Sequence, residues 1–145
     1  MGTVKKSDWK TVLLVEDDDG DAFLAARAFE KFDDEIFLAR VTGGQDAIQY
    51  VRGEGAFAER PEPRCIILDL AMANGDGVWV LQRLAERRGR SIPVVVMSGA
   101  ADQIAATRDF PFVVCAVEKP SCQEDYKDLL AVIGRLVRAA CATAA

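Results

Sequence analysis

Five short apolar runs without polar alternation are separated by longer segments in which apolar residues recur at helical spacing. Thr11 to Val15 (TVLLV), Ile36 to Val41 (IFLARV), Cys65 to Leu70 (CIILDL), Ile92 to Met97 (IPVVVM) and Phe112 to Val117 (FVVCAV) read as strands. Between them, Asp21 to Phe32 brings Leu24, Ala28 and Phe32 onto one helical face. Gly44 to Arg52 carries Ala47, Ile48 and Val51, and Asp76 to Arg87 carries Val80, Leu81 and Leu84. Ala101 to Arg108 reads as a short helix, and the last helix is predicted over Cys122 to Ala140. Its core face holds Tyr126, Leu129, Leu130, Ile133 and Val137. Gly53 to Arg64, with two glycines and two prolines, reads as a loop with room for one helical turn. Strands that do not alternate are buried on both faces, so the pattern predicts an α/β fold: a parallel sheet with helices on each side. Crossovers are right-handed, and such sheets bind ligands at the carboxyl ends of their strands.

Composition narrows the function. The 145 residues suit one domain, expected over residues 11–140 with an extension at 1–10 and a tail at 141–145. A net charge of -5 argues against sequence-independent nucleic-acid binding. Histidine is absent, which excludes Ser-His-Asp and Cys-His catalysis. Cys65, Cys115, Cys122 and Cys141 match no zinc-ligand spacing and read as reduced, mostly packing residues. The first ten residues are too polar for an apolar targeting core, and no apolar run has the length of a membrane span. A cytoplasmic location is expected.

The strand ends carry the chemistry. Glu16, Asp17, Asp18 and Asp19 follow the first strand, and Asp69 ends the third. Ser98 follows the fourth, and Lys119 with Pro120 follows the fifth. Clustered carboxylates repel one another and need a cation, and oxygen ligands suit a hard ion such as Mg2+. A carboxylate beside Mg2+ can attack a phosphoryl group, while a hydroxyl and an ammonium opposite bind the remaining oxygens. Phosphoryl transfer needs little beyond such positioning. Taken singly, each residue has an ordinary explanation: acids after a strand cap the next helix, and Ser-Gly and Lys-Pro make turns. The order of all four at successive strand ends is what points to function.

These residues resemble the CheY-like response-regulator receiver family from about Thr11 to Arg138. LLVEDD looks like its first strand and acidic pair, and IILDLAMANGDG like its acceptor segment, with Met72 and the Asp76-Gly77 pair. VVVMSG matches the switch hydroxyl and VEKP the Lys-Pro step. The resemblance implies a flavodoxin-like doubly wound five-stranded parallel sheet of order 2-1-3-4-5. It implies phosphorylation of Asp69 by a histidine kinase or histidine phosphotransfer protein. Mg2+ would be held by Glu16, Asp17, Asp69 and the Ala71 carbonyl, and the phosphoryl group by Ser98 and Lys119. It also implies a cis Lys119-Pro120 bond. The loop from Tyr50 to Pro63 resembles the single-domain receivers paired with bacterial phytochromes.

Four alanines stand out as departures from the family pattern. Ala73 replaces the usual proline after the acceptor. Ala116 replaces the aromatic that moves with the switch hydroxyl, which puts that coupling in doubt. Ala71 and Ala100 sit where the family places or excludes the hydrolytic water, so slow loss of phosphate is expected. A haloacid-dehalogenase-type phosphatase would need a second aspartate at position 71, where alanine stands. A degenerate receiver, acting as a phosphorylation-independent interaction module, would require a lost site residue, and none is lost. The expected protein is thus no conventional enzyme, and its output passes to a separate target protein. Val132 and Leu136 widen the stripe of the last helix, so a homodimer or partner surface is expected on the last two helices and last strand.

Overall fold

The computed structural model describes residues 10–33, 35–73, 76–89, 91–99 and 101–143. The strands are β1 (Lys10–Val15), β2 (Ile36–Val41), β3 (Cys65–Asp69), β4 (Val94–Ser98) and β5 (Val113–Glu118). The helices are α1 (Asp19–Phe32), α2 (Gly44–Arg52), α3 (Asp76–Ala85), α4 (Ala101–Ala105) and α5 (Tyr126–Thr143). The strands form one parallel sheet in the order β2-β1-β3-β4-β5, as expected.

Alternate side chains of each strand feed opposite faces. Leu13, Val15, Ile66, Leu68, Val94 and Val96 pack with α2 and α3 residues such as Ala47, Ile48, Val51, Val80 and Leu81. Val12, Leu14, Ile67, Val95 and Met97 pack with α1 and α5 through Ala25, Phe29, Tyr126, Leu129, Ile133 and Val137. Cys65 is buried in this second core, and burial pushes its thiol up to about 12, as suits a packing residue. Cys115 is half-buried, Cys122 is exposed and packs nothing, and the side chain of Cys141 lies outside the described residues.

Several element details differ from expectation. The buried stripe of α1 is Ala22, Ala25, Ala28 and Phe29, whereas Phe32 is 39% exposed. The small alanines let α1 lie close to the sheet. α5 begins at Tyr126 because residues before it form i→i+3 turns, closed by Ser121 donating to Asp125 Oδ2. α4 is one turn that passes directly into a 3-10 turn at Ala106–Asp109. β5 is not buried on both faces: its residues alternate between half-buried and exposed, with Val114 50% exposed. The short α4 does not cover that outer face. The loop after α2 holds the single helical turn allowed for, at Gly55–Phe57. Gly53 ends α2 in the left-handed region at φ 66°, where a side chain would be strained.

Candidate functional site

The carboxyl ends of β1, β3, β4 and β5 lie side by side, and each delivers a polar residue. Asp69 is the last residue of β3 and is wholly buried. Its Oδ1 accepts the Ala71 N–H (2.9 Å) and its Oδ2 accepts Lys119 Nζ (2.9 Å). Glu16, one residue beyond β1, is 1% exposed. Its Oε1 accepts the Asp18 N–H (3.1 Å) and Lys119 Nζ (3.2 Å). Glu16 Oε2 lies 3.1 Å from Lys119 Nζ but outside hydrogen-bond geometry, which leaves a buried carboxylate oxygen free to take another ligand. Asp17 is more open, and its Oδ2 accepts the Ala73 N–H (2.9 Å), tying the loop after β1 to the loop after β3. Asp18 caps α1 by accepting from Asp21 N (2.8 Å).

One carboxylate oxygen each from Glu16, Asp17 and Asp69 lies within 4.8 Å of the other two. Oxygen-only donors at such spacing fit a hard divalent cation. Burial pushes Glu16 up to about 7; the charge of Asp69 adds to this, while bonds from Asp18 and Lys119 oppose it. Desolvation alone would lower Lys119, but its hydrogen bonds to Asp21, Asp69 and Glu16 outweigh this and raise it. A single ammonium thus serves a surplus of negative charge.

Lys119 reaches the cluster across a trans Lys119-Pro120 bond, since no cis peptide occurs among the described residues. The expected cis geometry is corrected by what holds the residue instead. Its N–H donates to the Ser98 carbonyl (3.1 Å), so β4 already directs the chain and Nζ at Asp69. Ser98, 1% exposed, follows Met97, the residue that pairs with Asp69 across β3 and β4. Its hydroxyl donates to Gln103 Oε1 (2.5 Å) on α4. Glu16, Asp17, Asp69 and Lys119 are therefore brought together, and Ser98 stands beside them with its proton on Gln103. Ala71 contributes its N–H to Asp69, and Ala100 lies outside the described residues.

Sequence reasoning overlooked three contributors. Asp21 Oδ2 lies 2.8 Å from Lys119 Nζ; its place in the first turn of α1, just after the acidic run, was the available signal. Arg40, at the end of β2, donates to the Glu16 carbonyl (3.0 Å) and pairs with Asp19 (2.8 Å), bracing the acidic loop. Gln103 had no signal, because α4 is too short for periodicity to show its faces.

Comparison with known proteins agrees with this geometry. Residues 12–129 match the family model of the response regulator receiver domain. The probable methanogenesis regulatory protein FilR2 of Methanothrix harundinacea (strain 6Ac) is 34% identical over 119 residues, spanning 80% of this chain and 76% of that one. Response regulator Rcp1 of Synechocystis is 29% identical over 129 residues, 86% of this chain and 84% of its own. The crystal structure of its Mn2+-bound form superposes with a TM-score of 0.71 at 27% identity, covering 88% of this chain and 91% of that one. The phosphorylated cyanobacterial phytochrome response regulator RcpA gives a TM-score of 0.73 at 29% identity, with 88% and 91% covered. With most of its length matched and the same five-stranded order, the chain belongs to the response regulator receiver domains of two-component signalling.

Proposed function

We propose that Asp69 accepts a phosphoryl group from the phosphohistidine of a histidine kinase or histidine phosphotransfer protein. The observation that carries this reading is a fully buried carboxylate held by Lys119 Nζ at 2.9 Å and grouped with two further acids within 4.8 Å. An Asp69 oxygen forms the new bond to phosphorus as the phosphorus–nitrogen bond of the donor breaks, and the imidazole leaves with the electron pair. Lys119 and the Ser98 hydroxyl take the phosphoryl oxygens. Glu16, Asp17, Asp69 and the Ala71 carbonyl would hold Mg2+, which when bound offsets the charge of the incoming oxygens. The manganese form of Rcp1 and the phosphorylated form of RcpA support both parts of this assignment.

The output is a set of protein contacts that depend on phosphorylation, made in the cytoplasm with a separate target or a second copy of the chain. The resemblance to RcpA favours a light-signalling kinase as donor. Ala71 is exposed and has no polar side chain to orient water, so the adduct is lost slowly.

Incubation with acetyl phosphate and Mg2+, followed by intact mass, tests the assignment. One phosphate is expected on the protein, with none in EDTA and none on Asp69→Asn. An adduct that persists in either control would refute it.

A further inference from the structure

Ser98 is buried, and its hydroxyl donates to Gln103 Oε1 at 2.5 Å. Gln103 belongs to α4, a single turn that runs at once into a 3-10 turn closed by Thr107 Oγ1 on the Ile104 carbonyl (2.7 Å). So short a helix has little hydrogen bonding of its own, and a side-chain tether from the sheet counts for much. A serine hydroxyl carries one proton. It cannot donate fully to Gln103 and to a phosphoryl oxygen on Asp69 at once, and the charged oxygen is the stronger acceptor. Ala116 on β5 has no ring to follow the hydroxyl.

We propose that Gln103 is a positioning residue: it keeps the Ser98 proton away from Asp69 in the unphosphorylated protein, and its release on phosphorylation loosens α4. This rests on the reading that Asp69 takes the phosphoryl group. A phosphoryl oxygen that takes the Ser98 proton breaks the bond to Gln103 Oε1, and Gln103 can keep hold of Ser98 only by turning its amide to donate through Nε2, so the bond opposes phosphorylation and α4 reports the change. The signal passes through an amide on the helix instead of an aromatic on the last strand.

The test compares wild type, Gln103→Leu and Gln103→Glu. Beryllium fluoride with Mg2+ serves as the phosphoryl mimic, and hydrogen exchange is followed over residues 101–109. In wild type, exchange there is expected to rise on adding the mimic. In Gln103→Leu it is expected to be fast from the start, with the mimic bound about fivefold more tightly, the worth of one hydrogen bond. Gln103→Glu keeps an acceptor, so its helix should stay protected and its affinity should fall. The discriminating readout is exchange before the mimic is added, fast in Gln103→Leu and slow in Gln103→Glu, because a carboxylate at 103 also repels the anionic mimic. Equal affinity in all three proteins, or no change in wild-type exchange, overturns the tether while leaving Asp69 as acceptor. Intact mass after acetyl phosphate separates that failure from the other: no Asp69-dependent adduct on any of the three overturns the acceptor reading, and the tether with it.

Discussion

Burial changes the ionisation of Glu16. Desolvation raises it from 4.5 to about 7, because a carboxylate with 1% exposure loses its water while sharing one ammonium with Asp69 and Asp21. In the metal-free protein the folded state holds this proton more tightly than the unfolded chain does. The associated stability is fully present below 4.5 and is lost as pH rises through about 7. Urea midpoints in EDTA should therefore fall across that window, and Glu16→Gln should flatten the fall. A cation bound at this carboxylate must displace the same proton, so below that pKa Mg2+ affinity should rise about tenfold per pH unit, with proton release seen by calorimetry in two buffers. Affinity that is flat with pH would remove Glu16 from the ligand set. Glu16, Asp17, Asp69 and Lys119 were legible in the sequence because strand ends are set by apolar runs, and the fold gathers those ends at one edge. Asp21 and Gln103 were not, because helix residues reach the site only through a rotational setting that tertiary packing decides. The trans Lys119-Pro120 bond was equally hidden, since both isomers are open to any X-Pro step.

The last helix and the margin strand β2 were read well, whereas the buried stripe of α1 and the open face of β5 were not. The stripe Tyr126, Leu129, Leu130, Ile133 and Val137 of α5 is buried as expected. On α1, periodicity chose the larger Leu24 and Phe32, whereas the fold buries Ala22 and Ala25. Residue size misled there: close helix–sheet approach selects small side chains, and apolar character alone does not distinguish the two stripes. Close approach also decides Gly77, at the start of α3. A Cβ there would lie 2.8 Å from the Leu70 Cα and 3.3 Å from the Asp69 carbonyl oxygen, both backbone atoms that cannot swing aside. Gly77→Ala should cost about 1–3 kcal/mol of unfolding free energy, the range for overpacking a filled site. The strain falls on the residues that set Asp69, so labelling by acetyl phosphate should slow as well. Urea denaturation and intact mass measure the two effects, and a variant with unchanged stability would show that α3 shifts freely.

The strand order puts β2 and β5 at the margins of the sheet, and α4 is too short to cover the outer face of β5. Val132 and Leu136, which suggested a contact surface on α5, are half-buried and pack against the α1–α5 core, so they have little area left to offer. β5 offers more, since Val114 is 50% exposed. Ile104, Phe110, Val113, Val114 and Ala116 line an open groove of about 300 Å³ between α4 and β5. An uncovered apolar edge invites a second chain, and α4, the element tied to Ser98, forms its wall. A homodimer through this face should therefore respond to phosphorylation. Each copy carries a net charge of -5, so two copies repel at long range, and the groove must supply the attraction. Salt screens the repulsion and leaves the apolar contact intact, so the dimer should tighten as ionic strength rises, the reverse of an interface held by ion pairs. Light scattering with Mg2+ and beryllium fluoride should show a dimer in wild type and a monomer in Val114→Lys. Lysine places an ammonium on the exposed position without touching the core, so its fold and its Asp69 labelling should be unchanged. A wild type that stays monomeric with and without the mimic, at low and high salt alike, would leave this face to a different protein.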